Sequence, residues 1–249
     1  MRLTIVGCSG SIPGPQSLSS CYLLEHDGYR VVVDLGHGSL GVLQRHITLT
    51  DIDAIVLSHL HADHSIDLTA LYVAHRYGPY DFSGRLPVYG PSDTAEALAS
   101  AYGMKDPQGM KGSFDFRELS VTASIGPFRV RAERVAHPVE TYAVRFEVDD
   151  QTLVYTGDTG PCRAIDELAR DANLLLCEAS FVDGEDNPAD LHLTGRQAGE
   201  LARGAGAGRL VITHVPPWND PLVAMAEAAS VFDGEIDLAT PAATFEVTR

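Results

Sequence analysis

The chain has 249 residues, 45% of them hydrophobic, enough to bury one sizeable core. Thirty-four acidic against eighteen basic side chains give a formal net charge of -16, which repels polyanions and argues against long nucleic acid as a partner. No apolar run reaches a membrane-spanning length, and Cys8, Cys21, Cys162 and Cys177 lack the spacing of a disulfide or thiolate-zinc framework.

In chain order, the first predicted strand is "RLTIVG", which begins at once, without the longer apolar core of a signal peptide, and points to a cytoplasmic protein. "SCYLLEH", "YRVVVDLG" and "DAIVLSH" follow as strands, each bounded by Gly, Pro, Ser or Asp. From Ser65 the pattern turns helical in "SIDLTALYVAHRY" until Gly78-Pro79 stops it. The strand "RLPVYG" leads into a helix, "PSDTAEALASAYG", and residues 103–117 read as a loop. The second half supplies strands "FRVRAERVAH", "YAVRFEV", "TLVYTGD", "NLLLCEA", "RLVITHV" and "ATFEV". Helices are predicted after Pro161, over "GRQAGELARGAG" and over "PLVAMAEAASVF". With no linker or low-complexity segment, residues 1–249 are expected to form one α/β domain, two sheets with helices packed outside.

Polar clusters recur at the strand ends. "SHLHADH" places His59, His61, Asp63 and His64 directly after a strand, three imidazoles and a carboxylate in six residues. Borderline nitrogen and hard oxygen donors of this kind suit zinc. Chance histidines on a solvated turn are the bland alternative, but these six residues hold three of the ten histidines. Four side chains do not hold two cations, so further ligands are expected at other strand ends. His137 closes "RVRAERVAH", Asp158 closes "TLVYTGD" and His214 closes "RLVITH". Asp158 has two oxygens and so is able to bridge two ions.

These residues, in this order, resemble the five metal motifs of the metallo-β-lactamase superfamily over essentially the whole chain. The resemblance implies an αββα sandwich with a dinuclear site at one edge. It implies that His59, His61 and His137 hold one divalent ion, that Asp63, His64 and His214 hold the other, and that Asp158 bridges. Two Zn2+ ions are expected, with Mn2+ or Fe2+ as alternatives. The implied reaction is hydrolysis, for which zinc brings the pKa of water to roughly 7.

"LLLCEASF" and "LHLTGRQAGELA" resemble the phosphodiesterase branch, which includes ribonuclease Z. There the residue matching His192 is no ligand; it faces the scissile phosphate and assists the leaving oxygen. Physically, an imidazolium near its operating pKa donates a proton to a poor alkoxide leaving group. Glu178 either keeps the His192 ring charged or pairs with an arginine. Thr194 and Gln197 fit a capping box, which fixes the helix start and the direction of His192. Asp34, Asp67 and Ser180 are candidates to support the ligands from behind, while His26, His37, His46 and His75 read as structural or exposed.

Bacterial ribonuclease Z enzymes carry a long RNA-gripping insert between the positions matching His137 and Asp158. Here that gap reads as one hairpin. The stretches "TIVGCSGSIPGP", "GVLQRH", "SHLHADH", "YGPSDT", "TGDTG", "LCEAS", "DLHLTG", "THVPPW" and "TFEV" resemble the metallo-β-lactamase-fold cyclic nucleotide phosphodiesterases of actinobacteria. This implies hydrolysis of 3′,5′-cyclic nucleotides, cyclic AMP first, to 5′-monophosphates; His192, Asp63 and Glu178 are the candidate catalytic residues. Trp218 either stacks on the base or packs beside Pro216 and Pro217, and the loop "GCSGSIPGPQSLSS" either borders the pocket or simply turns. The implied partner is a small nucleotide, with no membrane and with a homodimer expected from the family. The alternatives are a ribonuclease Z-like nuclease, then a lactonase or thioesterase of the same fold, then a noncatalytic nucleotide sensor.

Overall fold

Runs such as "VVV" after Arg30 and "LLLC" before Glu178 are apolar at every position, the pattern of strands buried on both faces. A computed structural model, which describes residues 1–119 and 122–248, places these runs inside two seven-stranded sheets. The first sheet holds β1 (Arg2–Gly7), β2 (Cys21–His26), β3 (Tyr29–Val33), β4 (Ala54–Val56), β5 (Leu86–Gly90) and β6 (Phe114–Glu118) in that spatial order. The second holds β7 (Thr122–Ile125), β8 (Phe128–Arg134), β9 (Tyr142–Val148), β10 (Gln151–Tyr155), β11 (Leu174–Glu178), β12 (Arg209–Thr213) and β13 (Glu235–Leu238). A final strand, β14 (Thr244–Glu246), returns to the first sheet and pairs antiparallel with β1.

Alternate residues of the buried strands serve two different cores. Val31 and Val33 face the second sheet, where Phe128, Phe146, Tyr155 and Val211 meet them. Val32 faces outward, toward the layer containing α1 (Ser39–Leu43), α2 (Ala62–Ser65), α3 (Leu68–Tyr77) and α4 (Thr94–Ala101). On the other flank, Leu175, Leu210 and Ile212 pack under α5 (Arg163–Leu168), α6 (Gly195–Ala205) and α7 (Pro221–Ala229). The result is the αββα sandwich expected from the sequence.

Two local expectations need correction. The stretch 103–117, read as a loop, contains a 3-10 turn at Pro107–Gly112 and most of β6. β6 pairs in parallel with β5, and Phe114 is fully buried in the outer core. The helix read from Ser65 is two pieces, α2 and α3, and α2 begins at Ala62, inside the histidine motif.

Strand direction positions the site. β3 and β4 run parallel, and β1, antiparallel to β2, therefore runs with β3. In the second sheet β10, β11 and β12 are parallel, and β8 shares their direction through β9. All these strands deliver their carboxyl ends to one edge, where ligands bind in open α/β sheets.

Candidate metal centre

Each donor follows a strand terminus. His59 and His61 come after β4, and α2 then turns Asp63 and His64 back into the interior. Leu35 N–H donates to the His64 carbonyl at 2.7 Å, which ties α2 to the end of β3. A Cβ on Gly36 would lie 1.9 Å from the Asp63 carbonyl oxygen, so this approach requires glycine. His137 follows β8, Asp158 follows β10, and His214 follows β12 with a φ of 56°.

One donor atom from each of His59, His61, His137 and Asp158 lies within 4.8 Å of the others. The same holds for Asp63, His64, Asp158 and His214. Asp158 belongs to both groups, so the structure brings all seven sequence-predicted metal residues together.

The second nitrogen of four rings has a defined partner. His64 Nδ1 donates to Asp34 Oδ2 at 2.8 Å, and His137 Nδ1 donates to the Leu191 carbonyl at 2.9 Å. Ser58 Oγ gives its proton to Asp34 and so accepts from His59 Nδ1 at 3.0 Å. Ser180 Oγ gives its proton to the His214 carbonyl and accepts from His214 Nδ1 at 2.9 Å. These partners fix the tautomers and turn four Nε2 atoms inward, the arrangement that orients metal-binding imidazoles.

The inward atoms crowd one another. His64 Nε2 and His214 Nε2 are 3.0 Å apart, and His61 Nδ1 is 3.0 Å from His59 Nε2 and 3.2 Å from His137 Nε2. Asp158 Oδ1 is buried without a hydrogen bond, 3.3 Å and 3.4 Å from His64 and His214 Nε2. Facing lone pairs and an orphaned carboxylate oxygen are costly until a cation joins them.

Electrostatics agree. Burial raises the carboxyls of Asp63 and Asp158, but His64 and His214 outweigh it and hold both well below the usual range. Burial disfavours charge on His64, yet Asp158 and Asp34 hold it well above its ordinary value. Burial and the charge of His64 push His59 well below its own. The carboxylates of this cavity favour positive charge between them. The donor set fits divalent metal ions.

Beside this cluster lies a second pair. Buried Glu178 accepts from Thr159 N–H at 2.7 Å and Ser180 N–H at 3.3 Å, and both its oxygens face His192 Nδ1 at 3.0 and 3.1 Å. Burial lowers the His192 pKa, but the charge and hydrogen bond of Glu178 prevail and push it up to about 9. The His192 ring sits 5.6 Å from His137 and 5.7 Å from His214, edge-on to Phe181 at 5.1 Å. Two residues further on the predicted capping box is present: Thr194 Oγ1 accepts from Gln197 N–H, and Gln197 Oε1 accepts from Thr194 N–H at 2.9 Å.

Of the supporting carboxylates and hydroxyls, Asp34 and Ser180 touch the cluster, whereas Asp67 accepts from Leu40 N–H at 2.9 Å, away from it. His75 stacks on Phe82 at 4.4 Å, and Trp218 is 64% exposed. Sequence reasoning missed Ser58, the Leu191 carbonyl and Tyr155, whose hydroxyl donates to Asp34 Oδ2 at 2.8 Å. Ser58 adjoins His59 and was the one with a visible signal.

Histidines and aspartates gathered at the carboxyl edge of two facing sheets define a metal-dependent hydrolase of the metallo-β-lactamase type. Residues 29–215 match the beta-lactamase superfamily domain, and the chain belongs to that superfamily. It is 41% identical to an uncharacterized protein, Rv1339, of Mycobacterium tuberculosis, over all of this chain and 93% of that one. It is 32% identical to the probable metallo-hydrolase YhfI of Bacillus subtilis, over 96% of this chain and 97% of that one. The crystal structure of YhfI superposes with a TM-score of 0.87 at 29% identity, covering 98% and 99% of the two chains. A ribonuclease Z of Haloarcula marismortui is 28% identical over 96% of this chain and 94% of its own.

Proposed function

We propose that the protein hydrolyses 3′,5′-cyclic nucleotides, cyclic AMP foremost, to 5′-monophosphates. The observation that carries this reading is the Glu178–His192 pair beside the His/Asp cluster. A carbonyl substrate has no need of a separate acid there, whereas a phosphodiester must expel an alkoxide.

His59, His61 and His137 would hold one ion, Asp63, His64 and His214 the other, with Asp158 shared. Imidazole and carboxylate donors favour zinc. When bound, such ions lower the pKa of water to roughly 7 and neutralise charge developing at phosphorus. Asp63 and Asp158 stay ionised and would offer the ions charged oxygen donors. His192 donates its proton to the departing 3′ oxygen, and Glu178 stabilises the charged imidazolium and holds the ring by Nδ1.

A small substrate is supported by the connection from His137 to Asp158, a single tight hairpin of β9 and β10 turning at Asp149-Asp150. The net charge of -16 favours the same conclusion. The similarity to ribonuclease Z keeps RNA cleavage as the second reading.

The test is a panel on zinc-, manganese- and iron-reconstituted protein: cyclic AMP, cyclic GMP, a 2′,3′-cyclic nucleotide, a tRNA precursor and a lactone. Turnover of cyclic AMP to 5′-AMP is expected. Cleavage of RNA or lactone with every cyclic nucleotide intact would refute the proposal.

A further inference from the structure

The N-terminal loop after β1 contains a residue whose conformation turning alone does not explain. Ser11 has a φ of 61°, in the left-handed region, although glycines stand at positions 10 and 14. Ile12 N–H donates to the Gly10 carbonyl at 2.7 Å and closes a three-residue turn about Ser11, a rare and strained form when its centre has positive φ. A loop needing only to reverse would place glycine at that centre. Strain of this kind persists where neighbours enforce it, and it gathers at functional sites.

The neighbours are visible. Gly10 N–H donates to the Val215 carbonyl at 3.2 Å, and His214 N–H donates to the Cys8 carbonyl at 3.0 Å, so the loop is sewn to the segment that carries His214. A Cβ on Gly10 would lie 2.3 Å from the His214 carbonyl oxygen, which leaves no room for any other residue. The turn so held aims Ser11 N–H at His214 Nε2, 3.5 Å away. That nitrogen is the inward, cation-facing one, because Ser180 occupies Nδ1.

A lone pair given to a cation is no longer an acceptor. With His214 Nε2 so engaged, Ser11 N–H points into the centre without its partner. Ser11 is only half-buried. Among the described residues, every ion pair in the cluster has histidine as its basic member, with no Lys or Arg. With His192 serving the leaving oxygen, the remaining phosphoryl oxygens need a further donor, and a preorganised N–H of this type is the usual device for stabilising developing oxyanion charge.

We infer that the Ser11 backbone amide is a binding and catalytic group that donates to a nonbridging oxygen of the substrate's phosphate. This rests on the phosphodiesterase reading and deepens it. The amide acts on the phosphoryl oxygen while His192 serves the leaving oxygen, and no bond to Ser11 forms or breaks.

The amide is removable without disturbing the side chain. Residues 1–20 made chemically, with the peptide nitrogen of Ser11 replaced by an ester oxygen, join to a fragment beginning at Cys21 by ligation. The zinc-loaded ester protein should keep its metal content and bind inorganic phosphate about tenfold more weakly or worse, since hydrogen bonds to charged groups are the strong ones. In the unaltered zinc-loaded protein, the Ser11 amide proton should move downfield as phosphate is added, a readout that needs no refolded ester chain. Unchanged phosphate affinity in the ester protein, or an unmoved Ser11 amide, would overturn the inference. Cyclic AMP turnover separately tests the reading beneath it: phosphate captured by the amide with cyclic nucleotides left intact would sink that reading alone.

Discussion

The two donor groups that share Asp158 differ in their surroundings. Asp63, His64 and His214 are all buried, and Asp34 and Ser180 fix their rings from behind. In the other group His61 is exposed and His137 half-buried, while only His59 is sealed. His61 also presents Nδ1 rather than Nε2 to the cluster. The first group is closed off by protein on the side of its ligand rings, while the second borders solvent at His61. His192, with a ring near both His137 and His214, stands where the two meet.

Replacing the shared residue tests this contrast most severely. Asp158→Ala should empty both groups and abolish hydrolysis, with metal content by atomic emission as the readout; retention of one full equivalent would show that the groups are independent. His192→Ala should leave metal content unchanged and lower kcat by about 10²–10⁴, the usual worth of a general acid. Loss of metal instead would make His192 a ligand. Glu178→Gln refines that outcome through pH. Glu178 raises the His192 pKa, so its neutral replacement lets the proton leave at lower pH, and the alkaline limb of kcat/KM should move down. An unmoved limb would reduce Glu178 to a structural prop.

Asp34→Asn should weaken metal affinity about 10–100-fold, the common effect of losing a carboxylate behind a ligand. The loss should fall more heavily on the sealed group, whose His64 Asp34 holds directly, than on the open one, which Asp34 reaches only through Ser58 and His59. Competition with a chelator is the readout; equal weakening of both would erase the distinction drawn above. Thr194→Ala removes only the helix cap and should cost about 1 kcal/mol, or about 2–4 °C in Tm, with kcat little changed. A large kcat loss at full metal content would show that the cap directs His192 and does not merely stabilise α6.

The candidate donors were readable in the sequence because they gather at or just past strand ends, as His214 does after "RLVIT". Their partners were legible only in part: Asp34 and Ser180 were among the candidates, but Ser58, Tyr155 and the Leu191 carbonyl were not. Tyr155 and Asp34 are 121 residues apart, and Leu191 meets His137 across 54 residues through a carbonyl that every residue possesses. No spacing rule reports such contacts. β6 escaped for a local reason: Phe114 and Phe116 alternate correctly, but Asp115, Arg117 and a preceding run of Gly, Pro and Lys resemble a loop. Its parallel pairing with β5 decides the matter, and that is tertiary. The capping box at Thr194 was legible because both of its bonds span three residues.

The donors come from both sheets: His59, His61, Asp63 and His64 from the first, His137, Asp158 and His214 from the second. An ion held among them is a rivet through two plates, and prying the sheets apart means releasing it. Resistance to unfolding should therefore follow metal supply, rising by about 2.7 kcal/mol when free metal stands at a hundred times its Kd. Proteolysis under chelation would then begin by parting the sandwich, and the same ions that arm the site would set how long the protein survives.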